Sequence, residues 1–196
     1  MKKRTASIHR KTTETDIKVT LCIDGEGKRA VKTGLAFLDH MLELFARHSL
    51  MDLSLQAKGD LHVDYHHTVE DIGLTLGQAL NEALGTRAGI RRYGAFYVPM
   101  DDALSRVVVD LGGRPAYVRE MVCRKKKILE FDLSLIDEFF RAFVVQARMN
   151  LHVDQLRGDE AHHAYESVFK ALARALRIAC EPDPRDKGVP SSKGTI

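Results

Sequence analysis

The sequence predicts an α+β fold made of a duplicated half-domain, with helices packed between sheets. Three observations carry this. Phe37-Leu38-Asp39-His40-Met41-Leu42 reads like Leu135-Ile136-Asp137-Glu138-Phe139-Phe140, and Met51-Asp52-Leu53-Ser54-Leu55 reads like Met149-Asn150-Leu151-His152-Val153, both 98 positions apart. His66-His67-Thr68-Val69-Glu70 then recurs as His162-His163-Ala164-Tyr165-Glu166, 96 positions apart. In both halves, apolar alternation with period two gives way to apolar stripes with period 3.6. At 196 residues and 44% hydrophobic, the chain can bury one core or two small fused ones.

The elements follow in order, with residues 1–86 as the first half. Residues 16–23 alternate as a strand and meet Gly25 and Gly27, a hairpin signal. Residues 36–48 form a helix with Phe37, Met41, Leu44 and Phe45 on one stripe. A strand pair at 50–56 and 61–65 follows. A helix at 66–84 then runs along Val69, Ile72, Leu76, Ala79, Leu80 and Ala83, and Gly85 stops it. The half reads as ββαββα. Residues 87–180 repeat it: strands near 95–100, 106–111 and 116–122, a helix at 133–149, a strand at 150–155 and a helix at 161–179. The two-residue change in spacing falls at Lys58-Gly59-Asp60 and Arg157-Gly158-Asp159, which read as hairpin turns. The tail, 181–196, holds three of the five prolines and reads as irregular; the whole is one compact chain.

Composition narrows the function. No apolar run approaches membrane-spanning length, and none follows the basic start Met1-Lys2-Lys3-Arg4, so neither a transmembrane helix nor a secretory signal is expected. A net charge of +3 argues against a nucleic-acid binder. Cys22, Cys123 and Cys180 are odd in number and far apart, which excludes a disulfide framework and points to a reducing cytosol.

The two HHxxE motifs carry the chemistry. Helical spacing makes the first His a neighbour of the Glu four residues on, and the second His a neighbour three residues on. Adjacent histidines point about 100° apart, so each pair serves two ions, or one ion and a substrate. Imidazole with carboxylate suits Mn, Fe, Zn or Ni. With His40 and Glu138 the pseudo-symmetric set is His40, His66, His67, Glu70, Glu138, His162, His163 and Glu166. His9, His62 and His152 lie in strand patterns and read as exposed or hydrogen-bonded. His48 falls at a helix C-terminus, where an imidazolium suits the dipole. Arg91, Arg92, Arg114, Lys170 and Lys193 could converge on a phosphate or be solvated surface. The run Arg124-Lys125-Lys126-Lys127 reads as a solvated loop.

Seven ordered segments resemble the imidazoleglycerol-phosphate dehydratase family over essentially the whole chain. They are Arg10-Lys11-Thr12-Thr13-Glu14-Thr15, Phe37-Leu38-Asp39-His40-Met41-Leu42, His66-His67-Thr68-Val69-Glu70-Asp71, Arg92-Tyr93-Gly94, Asp110-Leu111-Gly112-Gly113-Arg114-Pro115, His162-His163 through Phe169-Lys170, and Pro190-Ser191-Ser192-Lys193-Gly194. The resemblance implies a homo-oligomer of 24 subunits with cubic symmetry and active sites between chains. It implies two Mn2+ ions per site, held by His40, His66, His67, Glu70, His162, His163 and Glu166. In some members the position of Glu138 is a His ligand; here a carboxylate stands there, either as a ligand or as a group supporting one, and the Gln often found at the position of Leu44 is absent.

The implied reaction is loss of water from imidazole glycerol phosphate, giving imidazole acetol phosphate in L-histidine biosynthesis. No carbonyl activates the departing C–H proton. Metal ions on the ring nitrogens would favour imidazolate, whose electrons can expel hydroxide. Glu14 matches the acid–base carboxylate, with Glu70 and Glu166 as further catalytic carboxylates. Substrate would touch Glu14, His40, His48, His66, His67, Glu70 and His162. Arg92, Arg114, Lys170, Ser191, Ser192 and Lys193 would hold its phosphate. A membrane or nucleic-acid partner is not implied, and the location is cytoplasmic. A dinuclear phosphoesterase and a metal-organised shell protein are competing readings of the same residues.

Overall fold

The structure, a computed structural model, describes residues 3–196. The elements are β1 (Thr5–Lys11), β2 (Thr15–Cys22), β3 (Arg29–Lys32), α1 (Ala36–Ser49), β4 (Asp52–Gly59), α2 (His66–Leu84), β5 (Tyr93–Met100), β6 (Ala103–Asp110), β7 (Ala116–Met121), β8 (Lys127–Ile128), β9 (Phe131–Asp132), α3 (Leu135–Ala147), β10 (Asn150–Arg157) and α4 (Ala161–Cys180). One sheet has the order β1-β2-β4-β3 and the other β5-β6-β10-β7. In each, the first strands are antiparallel and the last pair, β3 with β4 or β7 with β10, is parallel. A mixed α+β architecture with four helices is therefore present.

Each helix pair between the sheets combines one helix from each half. α2 lies on β1, β2 and β4 and packs against α3, whereas α4 lies on β5, β6 and β10 and packs against α1. A single apolar core runs through both sheets and all four helices. Its densest part is Phe139, Phe140, Phe143 and Phe169, each at most 2% exposed, with neighbouring ring centroids 5.2–6.0 Å apart. Burial of each such ring contributes roughly 2–3 kcal/mol.

The structure differs from the sequence expectation chiefly in the first half, whose order is βββαβα, not ββαββα; the second half has the expected strands and helices, with β8 and β9 added. Residues 61–65 alternate like a strand but form a turn, in which Asp60 O accepts from Val63 N–H at 2.8 Å. The edge of the sheet is filled instead by short β3, in parallel with β4. Gly25 and Gly27 do not close a hairpin. Asp52 Oδ1 accepts from the N–H groups of Glu26 (2.8 Å) and Lys28 (2.9 Å), and Gly27 adopts φ 80°, so the chain crosses from β2 to the far side of β4. Lys58-Gly59-Asp60 and Arg157-Gly158-Asp159 are strand-to-helix turns, because the following segment enters α2 or α4. The end of the basic run, Lys127, joins the small hairpin β8–β9.

The helix ends repeat the duplication. α1 and α3 stop at Leu50 (φ 60°) and Arg148 (φ 50°), both left-handed. Arg87, only 4% exposed, bonds without a carboxylate within 4.0 Å among the described residues. Its guanidinium donates to Leu111 O, Arg148 O and Ala147 O at 2.8 Å and to Asn81 Oδ1 at 2.6 Å. The C-terminal carbonyls of α3 thereby offset a buried cation. The tail has no helix or strand but is tied down, with Gly89 N–H donating to Gly188 O at 2.7 Å and Asp183 N–H to Gly89 O at 2.8 Å.

Two glycines set the α2–α3 distance. A Cβ on Gly73 would lie 2.5 Å from Phe139 O, and one on Gly77 would collide with Phe143 O. Ala stabilises an exposed helix position relative to Gly by about 1 kcal/mol. For Gly77→Ala the steric cost dominates: urea unfolding is expected to show a loss of about 1–3 kcal/mol. A gain in stability would show that α2 and α3 are not in backbone contact.

Candidate metal centre and active site

α1 and α4 bring three ligand atoms together. His40 Nε2 lies 3.3 Å from Glu166 Oε2, and His162 Nε2 lies 2.9 Å from the same oxygen. Among the described residues, His40, His162 and Glu166 are the one group of three or more His, Cys, Asp or Glu whose ligand atoms all lie within 4.8 Å of one another. The i,i+4 spacing on α4 pairs His162 with Glu166, and the packing of α1 on α4 delivers His40. Lys170 Nζ, one turn further along α4, sits 2.5 Å from Glu166 Oε1. Burial pushes the Glu166 carboxyl up, but Lys170 and then His40 and His162 outweigh it and hold it below the usual range. Two imidazoles and one ionised carboxylate converging on one point fit a divalent transition ion.

The first half is arranged differently. His66 Nε2 is 3.7 Å from Glu70 Oε2, without a third ligand atom joining them among the described residues. Glu138, in the first turn of α3, makes no hydrogen bond or ion pair among the described residues. His67 Nδ1 contacts Asp60 Oδ2 at 3.0 Å and lies 3.9 Å from Glu14 Oε2. The bond to Asp60, reduced by desolvation and reinforced by Glu14, raises the His67 pKa. His163 Nδ1 contacts Asp102 Oδ1 at 2.9 Å, which likewise raises its pKa.

Glu14 stands on the β1–β2 turn. Thr12 Oγ1 accepts from the N–H groups of Glu14 (3.1 Å) and Thr15 (2.9 Å), and Thr15 Oγ1 donates to Asp71 Oδ2 at 2.5 Å. Asp71 also accepts from Arg10 Nε at 2.8 Å, so α2 holds the turn that presents Glu14. Asp60, Asp71 and Asp102 were not singled out from sequence. Asp60, in the turn before the first histidine motif, and Asp71, directly after Glu70, have only that nearness as a signal, and Asp102 is far from both motifs in sequence.

The basic residues divide into two groups. Arg92 donates to Asp110 Oδ1 from Nε (2.7 Å), to Asp110 Oδ2 from Nη2 (3.1 Å) and to Pro190 O from Nη1 (2.7 Å). Its contact with Pro190 brings the tail segment Ser191, Ser192 and Lys193 beside it, and Ile196 lies against Gly113, next to Arg114. Lys170 belongs instead to the Glu166 cluster. His48 is half-buried at the end of α1. Burial, with Lys170 and Arg174 nearby, lowers its pKa, so the imidazolium expected at this helix end is disfavoured. His9 bonds Asp16 at 2.7 Å, and His152 is exposed on β10.

A two-sheet α+β fold whose helices, from different halves, bring two imidazoles and a carboxylate to one point defines a class of protein with a candidate metal centre and a repeated HHxxE motif. A family model described as "Imidazoleglycerol-phosphate dehydratase" matches residues 33–176, and the chain belongs to that family. Proteins of that name from Thioalkalivibrio sulfidiphilus and Alcanivorax borkumensis are each 55% identical over 197 residues, covering 100% of this chain and 100% and 97% of theirs. The crystal structure of the Staphylococcus aureus dehydratase superposes with TM-score 0.82 at 40% identity, covering 91% of this chain and 99% of that one. That of the Pyrococcus furiosus protein, in complex with (S)-C348, gives 0.83 at 38% identity, covering 96% and 100%.

Metal-binding measurements on metal-free protein test the centre. His40→Ala, His162→Ala and Glu166→Ala are each expected to weaken divalent-ion binding by more than about 100-fold, since loss of supporting groups alone costs 10–100-fold. His152→Ala is expected to leave it unchanged. Equal affinities across all four variants would place the ion elsewhere.

Proposed function

We propose that the chain is a hydro-lyase that converts imidazole glycerol phosphate to imidazole acetol phosphate, a step of histidine biosynthesis. The observation that carries this is the convergence of His40, His162 and Glu166, with Lys170 beside them, in a chain of this family. The hydroxyl leaves from the carbon next to the ring, a proton leaves the adjacent carbon, and the resulting enol becomes the ketone.

The chain's own groups have separable tasks. Glu14, exposed and fixed at its backbone by Thr12, takes the carbon-bound proton. Arg92, Arg114, Ser191, Ser192 and Lys193 hold the phosphate, Lys170, paired with Glu166, faces it from the metal side, and His48 contributes to the substrate pocket. Glu166 and Glu70 orient the histidines four residues before them. The metal would be Mn2+, two ions per active site, with His40, His66, His67, Glu70, Glu138, His162, His163 and Glu166 as the residues that would hold them. When bound, it lowers the pKa of an imidazole ring and so favours electron release toward the side chain.

The pair His66–Glu70 has no third ligand atom from its own chain among the described residues, which supports a site completed by a second copy. We therefore read the working form as a homo-oligomer, with 24 subunits, in the cytoplasm. No helix among the described residues is long and apolar enough to cross a membrane.

With substrate and Mn2+, the pure protein is expected to form a ketone; release of inorganic phosphate instead would identify a phosphoesterase. Glu14→Gln is expected to lower kcat by about 100-fold or more, the usual contribution of a general base, with metal content intact. Chelation is expected to shift sedimentation toward smaller particles, because ligands from different chains hold the ions. Identical profiles with and without chelator would count against ligation between chains.

A further inference from the structure

Asp60 and Asp102 lie outside the two HHxxE motifs, yet each grips the second histidine of one motif. Asp60 Oδ2 meets His67 Nδ1 at 3.0 Å, and Asp102 Oδ1 meets His163 Nδ1 at 2.9 Å. The same ring nitrogen is held in both halves, by carboxylates from unrelated places in the chain. Asp60 follows β4, and Asp102 lies on the β5–β6 turn.

The hairpin registers show what Asp102 corresponds to. Ala6 pairs with Leu21 in the first half, and Gly94 pairs with Val109 in the second, each 88 positions later. The same spacing carries Glu14 onto Asp102. Glu14 stands 3.9 Å from His67 Nδ1, beyond hydrogen-bond reach, whereas its counterpart Asp102 is bonded to His163 Nδ1. Asp60 occupies the place at His67 that Glu14 leaves open. Its other oxygen, Oδ1, is buried without a hydrogen-bond partner among the described residues. A carboxylate in that position is costly unless the bond it does make has a use.

We propose that Asp60 and Asp102 are positioning residues that keep the proton of His67 and His163 on Nδ1 and present Nε2 as the ligand atom. An ionised carboxylate only accepts, so the ring nitrogen facing it must donate. The opposite nitrogen is then the free lone pair, as second-layer carboxylates arrange at histidine–metal sites. At His163, Glu160 Oε2 is 3.8 Å from Nδ1 and accepts the backbone N–H at 2.7 Å, and Asp101 Oδ2 is 3.5 Å from Nε2. The two halves thus divide one task differently. Asp60 holds the first-half ring, so Glu14 is free for proton transfer. The second-half equivalent of Glu14 is committed to the ring.

This inference rests on the metal reading proposed above, and one experiment separates the two. Mn2+ binding to the metal-free full chain is followed by the EPR signal of free Mn2+, alongside kcat at saturating Mn2+. Asp60→Ala and Asp102→Ala are expected to weaken Mn2+ binding 10–100-fold while kcat at saturation stays within a few-fold of wild type. Asp60→Asn and Asp102→Asn, whose amide oxygen can still accept from Nδ1–H, are expected to recover most of the affinity. Glu14→Gln is expected to show the reverse split, with kcat lost and affinity kept. Alanine variants that bind Mn2+ as wild type does would overturn the proposal. So would a kcat loss in Asp102→Ala at unchanged affinity, which would make Asp102 a second proton-transfer group. If an alanine variant does not fold, the asparagine variant decides: affinity reduced as far as that of a His67→Ala or His163→Ala chain refutes the hydrogen-bond role. A wild-type chain that neither binds Mn2+ nor turns over substrate refutes the metal reading itself.

Discussion

The packing of α1 on α4 is the constraint on which the centre depends. His162 and Glu166 are neighbours by helical spacing alone, but a two-residue site on one helix is a weak ligand set. His40 reaches Glu166 because α1, from the first half, lies against α4, from the second. The reciprocal pair, α2 on α3, is held at backbone contact by Gly73 and Gly77. The helix pairs, each drawn from both halves, make one continuous core of the two sheets. A fold of two self-contained halves would leave His40 and Glu166 on separate bodies.

Much of this was legible in the sequence, for physical reasons. The 3.6-residue periodicity located all four helices to within about two residues, because each buries one strong apolar stripe. The repeated HHxxE motif was legible because its spacing is local. The edge strand β3 was not legible: Arg29-Ala30-Val31-Lys32 is short and mostly exposed, with no alternation to read. Residues 61–65 alternate without pairing, since Val63 points to solvent. Asp60 and Asp102 were not legible as partners of histidines because contact between them is tertiary. Nor could spacing reveal that Arg92 is engaged with Asp110 and Pro190 O while Lys170 faces Glu166.

Where the halves differ, the difference falls around the site. Asp39 accepts from Thr33 N–H (2.8 Å) and Oγ1–H (2.7 Å), tying the short β3–α1 link to its helix. Its counterpart Asp137 accepts from Tyr117 Oη–H at 2.8 Å and pairs with Arg119 at 2.9 Å. Burial dominates there and pushes the Asp137 carboxyl up. The link that precedes α3 is the longer one and contains β8 and β9, and the aspartate at the matching position bonds residues of the neighbouring strand β7.

That longer link also touches the start of α1 and the residue before α2. Phe131 of β9 lies 5.4 Å from the Phe37 ring and 6.4 Å from the Tyr65 ring. Phe37 in turn lies 6.0 Å from the His162 ring, and Tyr65 directly precedes His66. An apolar side chain inserted in one half therefore braces the N-terminus of α1 and the entry to α2 together. Rigid apolar packing of this kind fixes ring positions more tightly than solvent-exposed polar contacts do, because interiors resist volume change. The HHxxE motif recurs in both halves, while the links before α1 and α3 differ in length, so the apolar surroundings of the two copies differ.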